Sequence, residues 1–435
     1  MEQQSGNSKK FDTGGRHARA ILIVCSLLYM VNYMDRQVLS AVLEPMKLEL
    51  GFSDTQAGML QTAFFISMAL LALPISYFID RWSRRKSIAI MAIVWSAFTY
   101  VTGLGRDFIS VLASRFLVAV GEAGFSAGGT AMITAAYPRE SRGRALGVFN
   151  IPIPLGAALG VMLGGYISTN YGGWRTPFFV FAIPGVLLGI TAFFLRDYKT
   201  VSVGGESGTL KGFLDGALEL LKTPSLKWAL VGYGMHNVYA FTILAWMPAL
   251  LMRSLQVSEA RAGMMMGLIA MCAIVGALLG GILADSWQKR NPRGRMLLPI
   301  IADVGAAFAM VFMVLTLMTG APAALFYSVG ILYGIGSVLG MPALGAVTQD
   351  VVHPGLKGMS WGLAMFCMYV LGGGWAPVLV GILSDAMGGG AEGLQWATML
   401  MASGGILSGL CYWRGARYYP ADAERVRNII LETEE

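Results

Sequence analysis

Apolar stretches of 19 to 29 residues alternate with short polar segments along almost the whole chain. A helix needs about 20 mainly apolar residues to cross a bilayer. The pattern predicts twelve such spans, at 18–43, 55–79, 87–105, 108–136, 142–168, 175–195, 226–251, 259–284, 296–318, 322–350, 357–384 and 392–414. The fold class is therefore an all-α membrane protein. One long connection, 197–225, divides the spans six and six. The expected organisation is a tail at 1–17, a first half at 18–196, a linker at 197–225, a second half at 226–416 and a tail at 417–435. Within the linker Leu210, Phe213, Leu214, Ala217, Leu218 and Leu221 share one helical face, which predicts an amphipathic helix lying on the membrane surface.

The halves repeat. Ser53 to Gly58 opens the second span and Ser258 to Gly263 the eighth, and each serine is followed 27 residues later by an aspartate, Asp80 or Asp285. Parallel repeats of six spans, with a substrate site between them, are a carrier architecture.

Composition agrees with lipid as the main solvent: 55% of residues are hydrophobic and 13% charged, with 56 glycines. The formal charge of +7 does not point to nucleic acid, because 25 of the 32 Lys and Arg fall on one side of the predicted spans. By the positive-inside rule that side, with both tails, is cytoplasmic, and a bacterial inner membrane is the expected location. The run after residue 19 has no small-residue cleavage site and reads as a first span rather than a signal peptide. Cys25, Cys272, Cys367 and Cys411 lie in apolar segments without metal spacing. With His17, His236 and His353 scattered, and neither HExxH nor GxSxG present, no catalytic or metal constellation is legible. The expectation is a monomeric carrier, not an enzyme, with no cofactor beyond a coupling proton.

Ionisable residues inside spans are costly and mark function by default. Asp35 and Arg36 sit in the first span, Arg115 and Glu122 seven residues apart on one face of the fourth. Arg115 matches Asp35 in expected depth, so an Asp35–Arg115 ion pair is feasible, with Glu122 near the midplane along one cavity wall. A carboxylate at that depth is a candidate for proton exchange. A static Asp35–Arg115 brace is the alternative. Arg36 has two readings, cavity lining or snorkelling to the interface. Two arginines favour an anionic head group, since Arg grips carboxylate or phosphate bidentately. Asn32, Asn150, His236, Asn237, Tyr239, Trp246 and Tyr369 complete the candidate substrate contacts. Asp303 is expected near the inner end of the ninth span, bridged to a basic loop. Met264 to Met266, Trp361 and Phe366 are expected to supply apolar wall or core.

Gly281, Leu283 and Asp285 resemble the loop motif of the major facilitator superfamily, and Ser76 to Lys86 resembles its first-half copy with Ser76 and Ser83 in place of glycines. That resemblance implies a cytoplasmic gate formed by Asp80, Arg84, Arg85, Arg142 and Asp285. Gly147, Gly156, Gly160, Gly164 and Gly165 resemble its antiporter motif, with Val161 where proline is usual. Asn32 to Arg36, Asp54 to Phe64 and Arg115 to Ala123 are similar to the spinster-like branch. The resemblance implies proton-coupled, alternating-access transport of lysophospholipids or sphingoid phosphates, with Asp35 and Glu122 as the protonation pair and Arg115 their partner. The same segments resemble the anion:cation symporters, which implies a sugar acid and proton as cargo instead. An uncoupled uniporter remains the third reading.

Overall fold

A computed structural model describes residues 13–197, 210–353 and 356–432; within these, the side chains at 72, 73, 76–81, 139, 210–215, 358 and 427–432 lie outside the description. Among the described residues every regular element is helical. The first half runs α1 (Gly15–Leu50), α2 (Asp54–Arg81), α3 (Arg84–Gly103), α4 (Phe108–Glu122), α5 (Phe125–Ala136), α6 (Arg139–Asn150), α7 (Pro152–Asn170) and α8 (Thr176–Ala192). Helix α9 (Leu210–Leu221) lies in the connection. The second half runs α10 (Pro224–Leu255), α11 (Glu259–Arg290), α12 (Gly294–Met318), α13 (Ala323–Leu339) and α14 (Met341–Asp350). It continues through α15 (Lys357–Cys367), a π-helical stretch Met368–Gly373, α16 (Ala376–Ala386), α17 (Gly390–Met401) and α18 (Ser403–Ala416). Helix α19 (Tyr419–Glu432) is the tail.

The twelve expected spans are all helical, but five are broken. The fourth is α4–α5, the fifth α6–α7, the tenth α13–α14, the eleventh α15 through α16, and the twelfth α17–α18. Prolines explain three of these breaks. Pro152, Pro342 and Pro377 sit in the first turn of α7, α14 and α16, where a missing N–H costs nothing but a continuous helix is excluded. The fourth and tenth spans break alike, as do the fifth and eleventh, so the repeat extends to helix irregularities. It also extends to capping: the hydroxyl of Ser53 accepts from the Gln56 N–H at 3.2 Å, and that of Ser258 from the Arg261 N–H at 3.4 Å. Ten helical stretches among the described residues are long and apolar enough to cross a membrane, with Thr176–Ala192 a shorter apolar one. The protein is a multi-pass membrane protein.

Part of the expected linker, 198–209, lies outside the described residues. In α9 Ala217 and Leu220 are buried against the second half, while Leu218, expected on the same face as Ala217, is exposed. All four cysteines are free.

The glycines of α7 serve close packing. At Gly160 a side chain would meet the Met34 carbonyl oxygen of α1 at 2.7 Å, and at Gly165 the Glu259 carbonyl oxygen of α11 at 2.2 Å. The second contact joins the two halves.

For orientation we call the end of the bundle that carries both tails the tail side and the opposite end the far side. Hydrogen bonds between the halves cluster at the far side. The Arg253 guanidinium of α10 donates to Glu44 at 2.6 and 2.8 Å and to Asp54 at 2.6 and 2.8 Å. Lys47 donates to Asp54 at 2.5 Å, and the Ser384 hydroxyl of α16 at 2.6 Å. Asp385 accepts from the backbone N–H of Asp54 and of Thr55 at 3.0 and 2.8 Å and from the Thr55 hydroxyl at 2.7 Å. A carboxylate of the second half thus caps the first turn of a first-half helix, where orphan N–H groups and the helix dipole favour negative charge. The far side is closed.

Candidate functional site

Four charged residues meet inside the first half, but not as the spacing suggested. Glu122 pairs with Arg36, Nε to Oε2 at 2.6 Å, with their side chains 0% and 10% exposed. The expected Asp35–Arg115 ion pair is absent. Asp35 is fully buried and accepts only a long 3.4 Å bond from Thr99, while no nitrogen of the fully buried Arg115 guanidinium has a hydrogen-bond partner.

The length of α1 explains the change. It continues through Pro45 to Leu50, beyond the expected end at residue 43. Arg36 lies fourteen residues before Leu50 and Glu122 fourteen after Phe108, so each is about 21 Å from the far end of its helix. Arg115, only seven residues into α4, sits nearer the far side.

Aromatic rings finish the cluster. The Arg36 guanidinium lies over Tyr33 at 4.7 Å and Phe64 at 5.6 Å, and that of Arg115 over Phe64 at 4.9 Å. Phe64 therefore contacts both cations, and each gains from its ring. Two acids and two bases give a formally neutral group, the least costly way to keep four charges out of water. Arg36 neither lines the cavity nor snorkels.

The cavity itself, about 480 Å³, lies between the halves. Its walls are almost wholly apolar, from Ile153, Pro154 and Ala157 of α7 to Ile269, Ile274 and Leu278 of α11. Ile151 and Leu278 line it and are also 56% and 67% exposed, so the cavity opens outward beside them. A second apolar space of about 290 Å³ adjoins it at Ile153 and Met341 and includes Leu230, Tyr233 and Trp361. The charge cluster is not in the wall. Tyr33 is the link, since it lines the cavity and covers Arg36.

Of the expected substrate contacts, Asn150, His236 and Asn237 line the cavity, joined by Tyr33 and Gln37, which the sequence reading passed over. Asn32 is fully buried beside the cluster. Tyr239 and Trp246 are set behind the wall: Tyr239 donates to Asp303 at 3.2 Å and Trp246 Nε1 to the Pro377 carbonyl at 3.0 Å. Tyr369 belongs to an aromatic bridge across the halves, where Phe65 of α2 stacks on Phe241 of α10 at 4.5 Å and on Tyr369 at 5.9 Å. Asp303 corrects another expectation. It is not at a basic loop but 2% exposed inside the second half, where His236 Nδ1 (2.9 Å), the Tyr239 hydroxyl and the Ser408 hydroxyl surround it. Nine residues into α12, it lies about 13 Å from that helix's start, too deep for a loop partner.

The expected tail-side gate residues are placed apart. Arg85 donates to the Leu195 carbonyl at 3.1 Å and Arg142 to that of Tyr137 at 3.2 Å, both within the first half. Arg84 sits in the first turn of α3. The side chain of Asp80 lies outside the described set. Asp285 pairs with Arg295 at 2.8 Å, and Arg295 also holds Asp350 at 2.7 Å, which accepts from Tyr419 at 2.6 Å.

The sequence model described as the Major Facilitator Superfamily matches residues 25–377. A protein described as an MFS-type efflux pump from Mycolicibacterium smegmatis is 27% identical over 94% of this chain and 95% of its own. Protein spinster homolog 1 of Xenopus tropicalis is 27% identical over 94% of this chain and 82% of its own. A sphingosine-1-phosphate transporter of the same frog is 24% identical over 99% and 87%. The crystal structure of a bacterial homologue of the human lysosomal transporter Spinster, inward-facing and unoccupied, superposes with a TM-score of 0.83 at 23% identity, covering 94% of this chain and 99% of that one.

Proposed function

The chain belongs to the major facilitator superfamily of membrane transporters, and on that premise we propose that it is a proton-coupled carrier of an amphipathic anionic lipid, a lysophospholipid or sphingoid phosphate, working by alternating access. The observation that carries this reading is the almost wholly apolar cavity between the halves, open beside Ile151 and Leu278. A sugar acid would find few polar partners there, whereas an acyl chain gains about 0.8 kcal/mol per buried methylene. The described cargo of one relative, sphingosine-1-phosphate, fits the same description.

Arg36 is the candidate for the head group. In the structure Glu122 occupies it; a proton on Glu122 removes that competitor and leaves the guanidinium free to turn past Tyr33 toward an anion in the cavity. Proton and substrate would thus be linked through one arginine, with Asp35 and Arg115 setting the surrounding field. In this reading the tails are cytoplasmic in a bacterial inner membrane, as the distribution of Lys and Arg favours. The closed far side is then external, and the conformation faces inward.

The test is purified carrier in liposomes carrying a lysophospholipid, with internal pH followed by a dye. Lipid movement with proton flux, and loss of the pH dependence in Glu122→Gln, is the expected result. Movement of sugar acids and not of lipid supports the organic-anion symporter instead, and lipid movement without proton flux supports the uniporter.

A further inference from the structure

The second half holds a buried acid–base group of its own, to which the carrier reading assigns nothing. Asp303 of α12 holds Oδ1 2.9 Å from His236 Nδ1 and accepts there from the Tyr239 hydroxyl, and at Oδ2 it accepts from the Ser408 hydroxyl. An ionised carboxylate only accepts, so the shared proton belongs on Nδ1 and the Tyr239 hydroxyl, 3.1 Å from Nδ1, turns its proton to Asp303. The remaining ring nitrogen, Nε2, then carries the lone pair. His236 is part of the cavity wall, and with Nδ1 turned to Asp303 and Tyr239, Nε2 is the ring nitrogen left to meet the cavity.

The neighbourhood is poor in positive charge. Facing the pair are Tyr233, Asn237 and Tyr239 of α10, Tyr333 of α13, and Ser408 and Tyr412 of α18, with Tyr33 and Gln37 across the cavity on α1. None is a cation. A carboxylate in this position has three hydrogen bonds but no counter-charge, and a buried charge without a partner is costly. Among the described residues, the one group in contact able to supply the missing positive charge is His236.

We propose that His236 and Asp303 form a second proton-binding site, distinct from the Arg36–Glu122 pair, which takes its proton at Nε2 from the cavity. The step balances simply. Cavity water gives one proton to Nε2, Nδ1–H stays on Asp303, and the imidazolium neutralises the carboxylate. The charged ring then presents a donor to an acidic head group, and its deprotonation withdraws that donor. The proton site stands on its own geometry, and only its link to transport rests on the carrier reading.

The chain has three histidines, so His17→Gln with His353→Gln leaves His236 as the single reporter. Nitrogen-15 NMR of histidine-labelled protein in lipid nanodiscs, titrated from pH 8 to 5 without substrate, reads both ring nitrogens. Expected are the Nδ1–H tautomer at high pH, imidazolium at low pH, and no change on Glu122→Gln. Asp303→Asn should lower the proton affinity of His236 about tenfold and mix the tautomers. Ser408→Ala, a milder change, should raise it by stripping a donor from the carboxylate. An Nε2–H tautomer, or a titration indifferent to both Asp303→Asn and Ser408→Ala, overturns the proposal. A His236 that titrates as expected in a protein that moves no lipid overturns the carrier reading and leaves this site standing.

Discussion

Arg253→Gln should swing the carrier toward the far-side-open state. Arg253 makes four hydrogen bonds to Glu44 and Asp54 and a fifth to the Gly390 carbonyl at 3.1 Å, and its side chain is 7% exposed against 0% for Asp54 and 12% for Glu44. Removing one partner from a buried ion pair costs about 3–5 kcal/mol. Here Lys47 still holds Asp54 and Glu44 reaches the edge, so the lower figure applies, about 3 kcal/mol. That loss falls on the closed state alone, because opening the far side returns Glu44, Asp54 and Arg253 to water. The ratio of open to closed should therefore rise roughly a hundredfold. Spin labels at the exposed positions Leu48 and Glu392, one in each half, report the far-side gap by double electron–electron resonance. A longer distance should dominate in the variant. An unchanged distribution in Arg253→Gln would refute the idea that this cluster holds the far side shut.

Three further outcomes follow from the same contacts. Asp385→Asn keeps the shape but removes the charge that caps α2 across the halves, and should open the far side by about 1–2 kcal/mol in the same distance measurement, less than Arg253→Gln. Gly165→Val places side-chain atoms where a Cβ would already lie 2.2 Å from the Glu259 carbonyl, so it should block far-side closure and leave an engineered far-side cysteine permanently open to a membrane-impermeant maleimide. Tyr419→Phe removes the hydroxyl that donates to Asp350 and should cost about 1.5 kcal/mol, read as a lower unfolding midpoint by intrinsic fluorescence with the transport rate per folded molecule unchanged.

The spans and the two-fold repeat were readable because bilayer thickness and the positive-inside bias act on local composition. Ser53 and Ser258, landmarks of that repeat in the sequence, proved in the structure to be the caps of their helices. What escaped was set by partners far away in sequence. Glu44, Lys47 and Glu49 look like the start of a loop after residue 43, yet α1 carries them as helix, because Arg253 and Asp54 satisfy the first two and Trp174 and Arg175 bind Glu49. That hidden helix length then moved Arg36 to the depth of Glu122. Asp303 was misplaced in the same way: its partners come from α10 and α18, and no pattern within the ninth span points to them. The helix breaks at Pro152, Pro342 and Pro377 were visible in the sequence, and reading them as first-turn prolines was the missing step.

The formal neutrality of the first-half cluster bears on how membrane voltage acts on the cycle. An elementary charge carried across the whole field costs or yields about 2.3 kcal/mol per 100 mV. Asp35, Arg36, Arg115 and Glu122 sum to zero, so the voltage does no work on them as the first half rocks from one access state to the other. One proton on Glu122 brought together with one anionic head group on Arg36 restores zero. A cycle that carries the proton and the anion together, one to one, would draw on the pH gradient and be indifferent to the electrical one.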